Sequence, residues 1–128
     1  MAINRTEQFA DALHALEDGG DLDTFVAVFA DDVELYRPET QQRLAGASGA
    51  RAFWEQYLAT FDQVRSDFRR VVDGEVGVLE WTSTGTLAGG APIEYAGVSL
   101  LDFDESGRVT RFATYFDTQA FGPEPATS

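Results

Sequence analysis

The chain of 128 residues carries 22 acidic and 9 basic side chains, a net charge of −13, and 44% of its residues are hydrophobic. This length fits a single domain with one core. A chain so acidic repels phosphate backbones and anionic lipid surfaces, which argues against nucleic-acid and membrane partners. Cysteine is absent, which excludes disulfide bonds and thiolate chemistry.

No long apolar stretch opens the chain, and nowhere do about 18 apolar residues follow one another. The sequence therefore predicts neither a signal peptide nor a membrane span. We expect a protein of the cytoplasm.

The first predicted helix covers about residues 4–18. Asn4 followed by Glu7 matches a capping box at its beginning. Apolar residues recur at the spacing of one helical face, at Phe9, Leu13 and Leu16. Two glycines then end the helix.

A second helix is predicted to begin at Asp21, which would act as its N-cap. Its apolar residues fit the spacing i, i+3, i+4, i+7, and they are Leu22, Phe25, Val26 and Phe29. This pattern predicts a helix that continues to the acidic pair at 31–32.

Residues 33–38 predict a short strand that ends at a proline, and residues 38–49 predict a loop rich in Gln, Gly and Ser. Ser48 would cap a third helix. The apolar face of this helix is formed by Trp54, Tyr57, Leu58 and Phe61.

Beyond residue 62 the hydrophobic period changes from 3.6 to 2. Four strands are predicted, at about 64–73, 76–88, 92–103 and 108–117. Turn signals separate them, so they should form an antiparallel meander. Helices that precede such a sheet indicate an α+β fold in one domain, residues 1–121, with a frayed tail at 122–128.

Three stretches, "GGDLDTFVAVFADDVELYRP", "GVLEWTSTGTLAGG" and "GVSLLDFDESGRVTRFATYFD", together resemble the NTF2-like superfamily and, within it, the SnoaL-like (polyketide cyclase) group, which includes ketosteroid isomerase-like proteins. The resemblance implies a cone in which about three N-terminal helices pack on a strongly curved antiparallel sheet. It also implies an apolar pocket at the mouth of the cone. The fold hosts enzymes and binding proteins alike, so it does not determine the function.

Alternate residues of the strands should face this pocket. The predicted inward sets are Leu79, Trp81, Ser83 and Gly85, then Tyr95, Gly97, Ser99 and Leu101, and finally Arg111, Ala113, Tyr115 and Asp117. The opposite face mixes threonine with apolar residues. Together with the resemblance, this mixture indicates a homodimer formed through the outer face of the sheet, and the alternative is an ordinary solvated face.

Family templates for catalysis match the sequence only in part. The positions that correspond to the catalytic residues of ketosteroid isomerases hold Leu13, Arg37 and Ser99, which cannot shuttle a proton between carbons. The Arg and its partner Asp of limonene epoxide hydrolases are replaced by Trp81 and Ser83. SnoaL-type cyclases rely on a single Asp near the end of the last strand, and Asp117 matches it.

Asp117 is therefore the predicted acid/base, and Arg37 is predicted to clamp an oxyanion or carboxylate. The alternatives are that Asp117 only ends a strand and caps a turn, and that Arg37 is a surface residue. The predicted substrate-binding residues are Tyr36, Trp54, Tyr57, Trp81, Ser83, Tyr95, Ser99 and Tyr115. Core packing is the alternative for Trp54 and Tyr57, and a register error of one residue would turn Trp81 and its set outward.

A metal site is not expected, because the chain has one histidine, His14, and no cysteine. No cofactor is expected either. The sequence thus predicts a SnoaL-like enzyme for a hydrophobic, oxygenated small molecule, acting by aldol cyclisation, isomerisation, dehydration or epoxide hydrolysis. The alternative is a non-catalytic module that binds a ligand or docks to a protein.

Overall fold

The computed structural model describes residues 4–37 and 41–116. These residues form three helices and six strands. In chain order they are α1 (Arg5–Glu17), α2 (Leu22–Val26), β1 (Phe29–Arg37), β2 (Gln42–Ala45), α3 (Gly46–Thr60), β3 (Phe61–Asp73), β4 (Gly77–Leu87), β5 (Pro92–Phe103) and β6 (Val109–Phe116). The predicted α+β class is confirmed, and the predicted tail at 122–128 lies outside the described residues.

All six strands belong to one sheet, in the order β2-β1-β6-β5-β4-β3. Strands β3 to β6 form the predicted antiparallel meander. The sheet is not wholly antiparallel, however, because β1 runs parallel to β6. Parallel neighbours need a long connection, and here most of the chain lies between these two strands.

Helix α1 begins as predicted. The side chain of Asn4 accepts a hydrogen bond from the backbone N–H of Glu7 at 2.8 Å. A second cap comes from the far end of β3, where Asp73 accepts the Thr6 hydroxyl at 2.7 Å and the backbone N–H groups of Arg5 and Thr6 at 3.3 Å. These bonds satisfy amide groups that have no partner within the helix.

Helix α2 is much shorter than predicted. It ends at Val26, and Phe29, the last residue of its predicted apolar face, begins β1. Phe29 pairs with Val109 of β6, and the backbone N–H of Val109 donates to the carbonyl of Val28 at 2.9 Å. Pairing with a distant strand therefore overrides the local helical pattern.

The predicted loop at 38–49 is also partly wrong. Residues Gln42–Ala45 form β2, which pairs with β1, and residues 38–40 lie outside the described residues. Helix α3 begins at Gly46, so Ser48 lies inside the helix and is not its cap. The N-cap is Ala45, which makes no side-chain capping bond.

The concave face of the sheet carries the core. Helix α1 packs on β3, and α3 packs on β1. An aromatic cluster fills the space around Trp54, with ring centroids 4.9–6.4 Å from the indole, and its members are Phe9, Phe25, Phe29, Phe53, Tyr57 and Phe112. Offset and edge-to-face contacts of this kind stabilise the core beyond simple burial.

Among the described residues, none of the helices is both long enough and apolar enough to cross a membrane.

Candidate functional site

A cavity of about 360 Å³ lies between the concave face of the sheet and helices α1 and α3. Most of its wall is aromatic, formed by Phe9, Phe53, Trp54, Tyr57, Phe61, Phe68, Trp81, Tyr95, Phe112 and Phe116. Polar groups enter the wall at a few positions only. Such a wall favours apolar ligands and leaves the polar positions to orient them.

Seven of the predicted site residues line this cavity, namely Arg37, Trp54, Tyr57, Trp81, Ser83, Tyr95 and Ser99. The predicted inward registers of β4 and β5 explain why Trp81, Ser83, Tyr95 and Ser99 are among them. The structure thus brings these side chains together, while their role in binding stays a prediction.

Tyr115 and Tyr36 do not line the cavity, and the predicted inward set of β6 is wrong. Phe112, Thr114 and Phe116 face the cavity instead, and Tyr115 is 40% exposed. Tyr36 pairs with Ala113 on the other face of the sheet, where the Arg43 guanidinium lies 4.4 Å from its ring centroid.

A β-bulge explains the error in β6. Asp102 pairs with Arg111 and Phe103 pairs with Val109, so Thr110 is an extra residue on β6. One extra residue reverses the alternation that follows it. Val109 is therefore buried before the bulge and Phe112 after it.

Asp117, the predicted acid/base, lies outside the described residues. The sequence predicts that Asp117 shares the inward face of Arg111, Ala113 and Tyr115, and Tyr115 does not line the cavity. Its role as acid/base stays a prediction.

Arg37 reaches the cavity from the end of β1. Its guanidinium carbon lies 4.6 Å from the centroid of the Phe53 ring, a distance at which the cation is attracted to the ring face. Arg37 is partly buried, and it places a positive charge in a wall whose other described residues are uncharged.

Glu17, at the end of α1, organises a chain of hydroxyl groups that ends in the cavity wall. The Tyr57 hydroxyl donates to Oε2 of Glu17 at 2.7 Å, as does the Ser66 hydroxyl. The backbone N–H of Ser66 donates to Oε1 at 2.8 Å. The hydroxyl oxygens of Ser66 and Ser83 lie 2.7 Å apart and continue the chain.

Burial raises the pKa of the Tyr57 phenol above its usual range, and the negative charge of Glu17 raises it further. Tyr57 therefore keeps its proton at physiological pH. Because that proton is directed to Glu17, the phenol is not placed to act as an acid toward a ligand.

A second polar group lies across β4, β5 and β6. The indole N–H of Trp81 donates to the Ser99 hydroxyl at 3.0 Å, and the Ser99 and Thr114 hydroxyl oxygens are 2.9 Å apart. Ser99 and Thr114 are buried and line the cavity. This group fixes the position of the Trp81 ring in the wall.

Two further residues have roles in packing. His14 does not line the cavity among the described residues. Its Nε2 lies 2.6 Å from the carbonyl oxygen of Ser66, and since a carbonyl only accepts, Nε2 carries the proton.

The Trp54 indole N–H is buried and has no hydrogen-bond partner within residues 4–37 and 41–116. It is shielded from solvent by the aromatic core.

Sequence reasoning missed Glu17, Ser66 and Thr114. Ser66 could have been found, because it alternates with Val64 and Phe68 along β3. Thr114 could have been found from the more apolar face of β6, which holds Phe112 and Phe116. Glu17 carries no sequence signal, because its partners are 40 or more residues away.

The cavity and its cone can be compared with known proteins. A family model described as SnoaL-like domain matches residues 7–112. No curated protein matches the chain in sequence.

Solved structures share the fold over most of their length. An NTF2-like protein of unknown function from Burkholderia pseudomallei K96243 superposes with a TM-score of 0.78 at 21% identity, over 93% of this chain and 95% of that one. A hypothetical protein with a ketosteroid isomerase-like fold from Catenulispora acidiphila DSM 44928, solved in complex with trimethylamine, has a TM-score of 0.77 at 16% identity, over 90% and 89%. The epoxide hydrolase/cyclase-like enzyme SalBIII, which acts in pyran ring formation in the polyether salinomycin, has a TM-score of 0.76 at 12% identity, over 91% and 92%.

At identities this low, the structural likeness shows the fold alone. The predicted NTF2-like cone is confirmed.

Proposed function

The chain belongs to the SnoaL-like domain family, and on that premise we propose that it is an enzyme whose cavity binds a hydrophobic, oxygen-bearing small molecule. The observation that carries this proposal is the cavity itself, about 360 Å³ in volume, aromatic in its wall and supplied with hydroxyl groups at separate positions. This volume lies in the range of small-molecule sites.

The composition of the wall indicates the ligand. Burying apolar surface against the aromatic side chains contributes most of the binding free energy. Hydroxyl groups on Ser83, Ser99 and Thr114 would meet oxygen or nitrogen atoms of the ligand. A fully hydrocarbon ligand would leave that capacity for hydrogen bonding unused, so oxygenated compounds are favoured.

We assign the acid/base role to Asp117 and the stabilisation of a developing negative charge to Arg37. In an aldol cyclisation, Asp117 would remove a proton next to a carbonyl group. The enolate would then attack a second carbonyl, and the resulting alkoxide would take the proton back from the Asp117 carboxyl group, which restores the carboxylate. Isomerisation, dehydration and epoxide hydrolysis need a similar acid/base group in an apolar site. SalBIII, an epoxide hydrolase/cyclase-like enzyme that acts in pyran ring formation, has the same fold.

The test has two stages. Oxygenated hydrophobic compounds are first screened for a rise in melting temperature, since a ligand that binds the folded state stabilises it. Compounds that bind are then followed for consumption by wild type, by Asp117→Asn and by the control Asp62→Asn, which changes an exposed carboxylate at the start of β3. Loss of turnover in Asp117→Asn alone supports the assignment, and unchanged turnover contradicts it.

A second candidate is a module that binds a small ligand without converting it, or that docks to another protein. One observation favours it: among the described residues, the cavity wall contains no carboxylate and no imidazole. Compounds that raise the melting temperature but are never consumed would support this candidate over the enzyme.

A further inference from the structure

The hydroxyl-bearing residues of the cavity wall form two separate clusters, which differ in how their protons are used. The first group comprises Tyr57, Ser66 and Ser83 and is attached to Glu17. The second comprises Ser99 and Thr114 and is attached to Trp81. A hydroxyl has one proton to donate and two lone pairs to accept, so the direction of each bond can be counted.

In the first group the count leaves no proton for a ligand. The carboxylate of Glu17 only accepts, so Tyr57 and Ser66 both direct their hydroxyl protons to it. Ser66 then has no proton left, and the 2.7 Å contact between Ser66 and Ser83 requires Ser83 to donate. Ser83 thus has only lone pairs to offer to the cavity.

In the second group one proton remains. Ser99 accepts from the Trp81 indole N–H, and a single proton serves the contact between Ser99 and Thr114. Two hydroxyl groups bring two protons, so the other proton is available to a ligand acceptor, whichever of the two residues holds it.

The two groups are well separated along the sheet. Ser99 of β5 pairs with Leu79 of β4, and Leu79 is four residues away from Ser83 along β4. At about 3.3 Å per residue this separation is roughly 13 Å. One ligand atom cannot contact both groups.

We propose that Glu17 is a positioning residue that determines ligand specificity: by directing the protons of Tyr57, Ser66 and Ser83 toward itself, it makes that end of the cavity an acceptor. The ligand group at Ser83 is then a hydrogen-bond donor, such as an alcohol, a phenol or an amine. A carbonyl or ether oxygen lies at the Ser99–Thr114 end. This inference rests on the proposed function, because it needs a ligand in the cavity.

The variant Glu17→Gln tests the direction in which the hydrogen bonds among Tyr57, Ser66 and Ser83 run. The amide oxygen of the substituted side chain can still accept from the Ser66 backbone N–H. Its NH₂ group would donate to Tyr57 and Ser66, so Ser66 would donate to Ser83 and Ser83 would donate into the cavity. The acceptor end thereby becomes a donor end with almost no change of shape. Glu7→Gln is the matched control, the same change at an exposed position of α1.

Three probes of similar shape distinguish the outcomes by equilibrium dialysis. Naphthalene measures the apolar cavity, 2-naphthol adds a donor, and 2-methoxynaphthalene carries an acceptor only. In proteins that also carry Ser99→Ala and Thr114→Val, which remove the donor end where the ether oxygen would otherwise bind, we expect the ratio of the 2-methoxynaphthalene Kd to the 2-naphthol Kd to fall by about tenfold when Glu17→Gln is added, as one hydrogen bond is gained or lost. It should be unchanged when Glu7→Gln is added instead. Ser83→Ala should weaken 2-naphthol several-fold, and naphthalene should bind it as it binds wild type.

Naphthalene affinity also reports whether the cavity of each variant is intact. If none of the probes binds wild type, the proposed function fails, and this inference fails with it. If all three bind and the ratio in proteins with Ser99→Ala and Thr114→Val is the same with and without Glu17→Gln, or also falls with Glu7→Gln, the inference is overturned and the proposed function stands.

Discussion

Tyr57 of α3 donates its hydroxyl proton to Glu17 of α1 across 2.7 Å, although the two residues are 40 positions apart in the sequence. This bond joins two helices at the edge of the cavity. Ser66 of β3 donates to the same carboxylate, so Glu17 connects three elements that local sequence patterns cannot relate to one another.

The raised pKa of Tyr57 predicts a loss of stability at high pH. The folded-state pKa of Tyr57 lies above the unfolded-state value of about 10. The contribution of the protonated phenol to the free energy of unfolding is therefore complete below pH 10 and decreases as the pH rises above it. We expect Tyr57→Phe to lower the free energy of unfolding by about 1 kcal/mol at pH 7, the usual net value of one hydrogen bond. The difference should shrink at pH 11, as measured by urea unfolding.

Tyr36→Phe is the control for this prediction, because Tyr36 lines neither the cavity nor the groove on the outer face of the sheet. It should follow the wild-type pH dependence. If wild type and Tyr57→Phe lose stability in parallel between pH 9 and 11, the bond to Glu17 does not hold the phenol proton.

Asp73 predicts the opposite dependence, at low pH. The hydrogen bond from the Thr6 hydroxyl is the main cause that lowers the pKa of Asp73, with backbone bonds from Thr6 and Arg5 adding to it. Because the pKa of Asp73 is lower in the folded state than its unfolded-state value of about 3.9, the ionised carboxylate stabilises the fold at pH values above 3.9. This stabilisation is lost as the pH falls through the folded-state pKa. We expect Asp73→Asn to cost about 1 kcal/mol at pH 7, as for a lost helix cap, and much less at pH 3.

Thermal unfolding at the two pH values measures this difference. Asp62→Asn, an exposed carboxylate of the same strand, should be neutral at both. A deficit in Asp73→Asn that is as large at pH 3 as at pH 7 would show that the charge of Asp73 is not involved.

Position 97 has no space for a side chain, because β5 lies close to Trp81 and β6 there. A Cβ atom at this position would clash first with the backbone carbonyl oxygen of Tyr115, and it would lie 2.7 Å from Cζ2 of Trp81 and 2.8 Å from Cβ of Phe116. Gly97→Ala should therefore displace both the indole and the β6 backbone at Tyr115, and it should cost about 1–3 kcal/mol, as overpacking does. Chemical denaturation measures the loss, and tryptophan fluorescence reports the displacement.

Gly89→Ala is the matched control, because a Cβ at Gly89 meets nothing within 4 Å. It should unfold like the wild type. An equal effect of both substitutions would mean that Trp81 is not held against the backbone of Gly97.

We predict that two copies of the chain form a homodimer through the outer face of the sheet. A shallow groove on this side includes Tyr115, Arg69, Arg70, Glu80 and Glu94, and charges of both signs allow two copies to meet face to face. We expect a homodimer of twice 14.0 kDa in light scattering after size exclusion. Tyr115→Asp should yield the monomer, and Tyr115→Phe should remain dimeric. A monomeric wild type would contradict this proposal.

Much of the fold follows from local patterns. Asn4 begins α1, and β5 has the bounds 92–103 that alternation predicts. The inward placement of Trp81, Ser83, Tyr95 and Ser99 is determined in the same way, because strand periodicity and turn residues depend on near neighbours in the chain. The family could likewise be identified from three sequence stretches.

Other features were decided by tertiary contacts. The pairing of Phe29 with Val109 ended α2 early, and the bulge at Thr110 reversed the faces of β6, so Tyr115 points away from the cavity. The early end of α2 and the position of the bulge have no local signal, because each depends on a partner strand distant in sequence. The more apolar face of β6, with Phe112 and Phe116, can still be read from the sequence.

By itself, therefore, the sequence determined the α+β cone, its family and most of the aromatic wall, since these depend on hydrophobic periodicity. Only the tertiary structure decided that Glu17 meets Tyr57 and Ser66, and that a bulge interrupts β6 at Thr110. The physical reason is that a hydrogen-bond network and a strand register are set by the partners a chain meets after folding, whereas periodicity is written in consecutive residues.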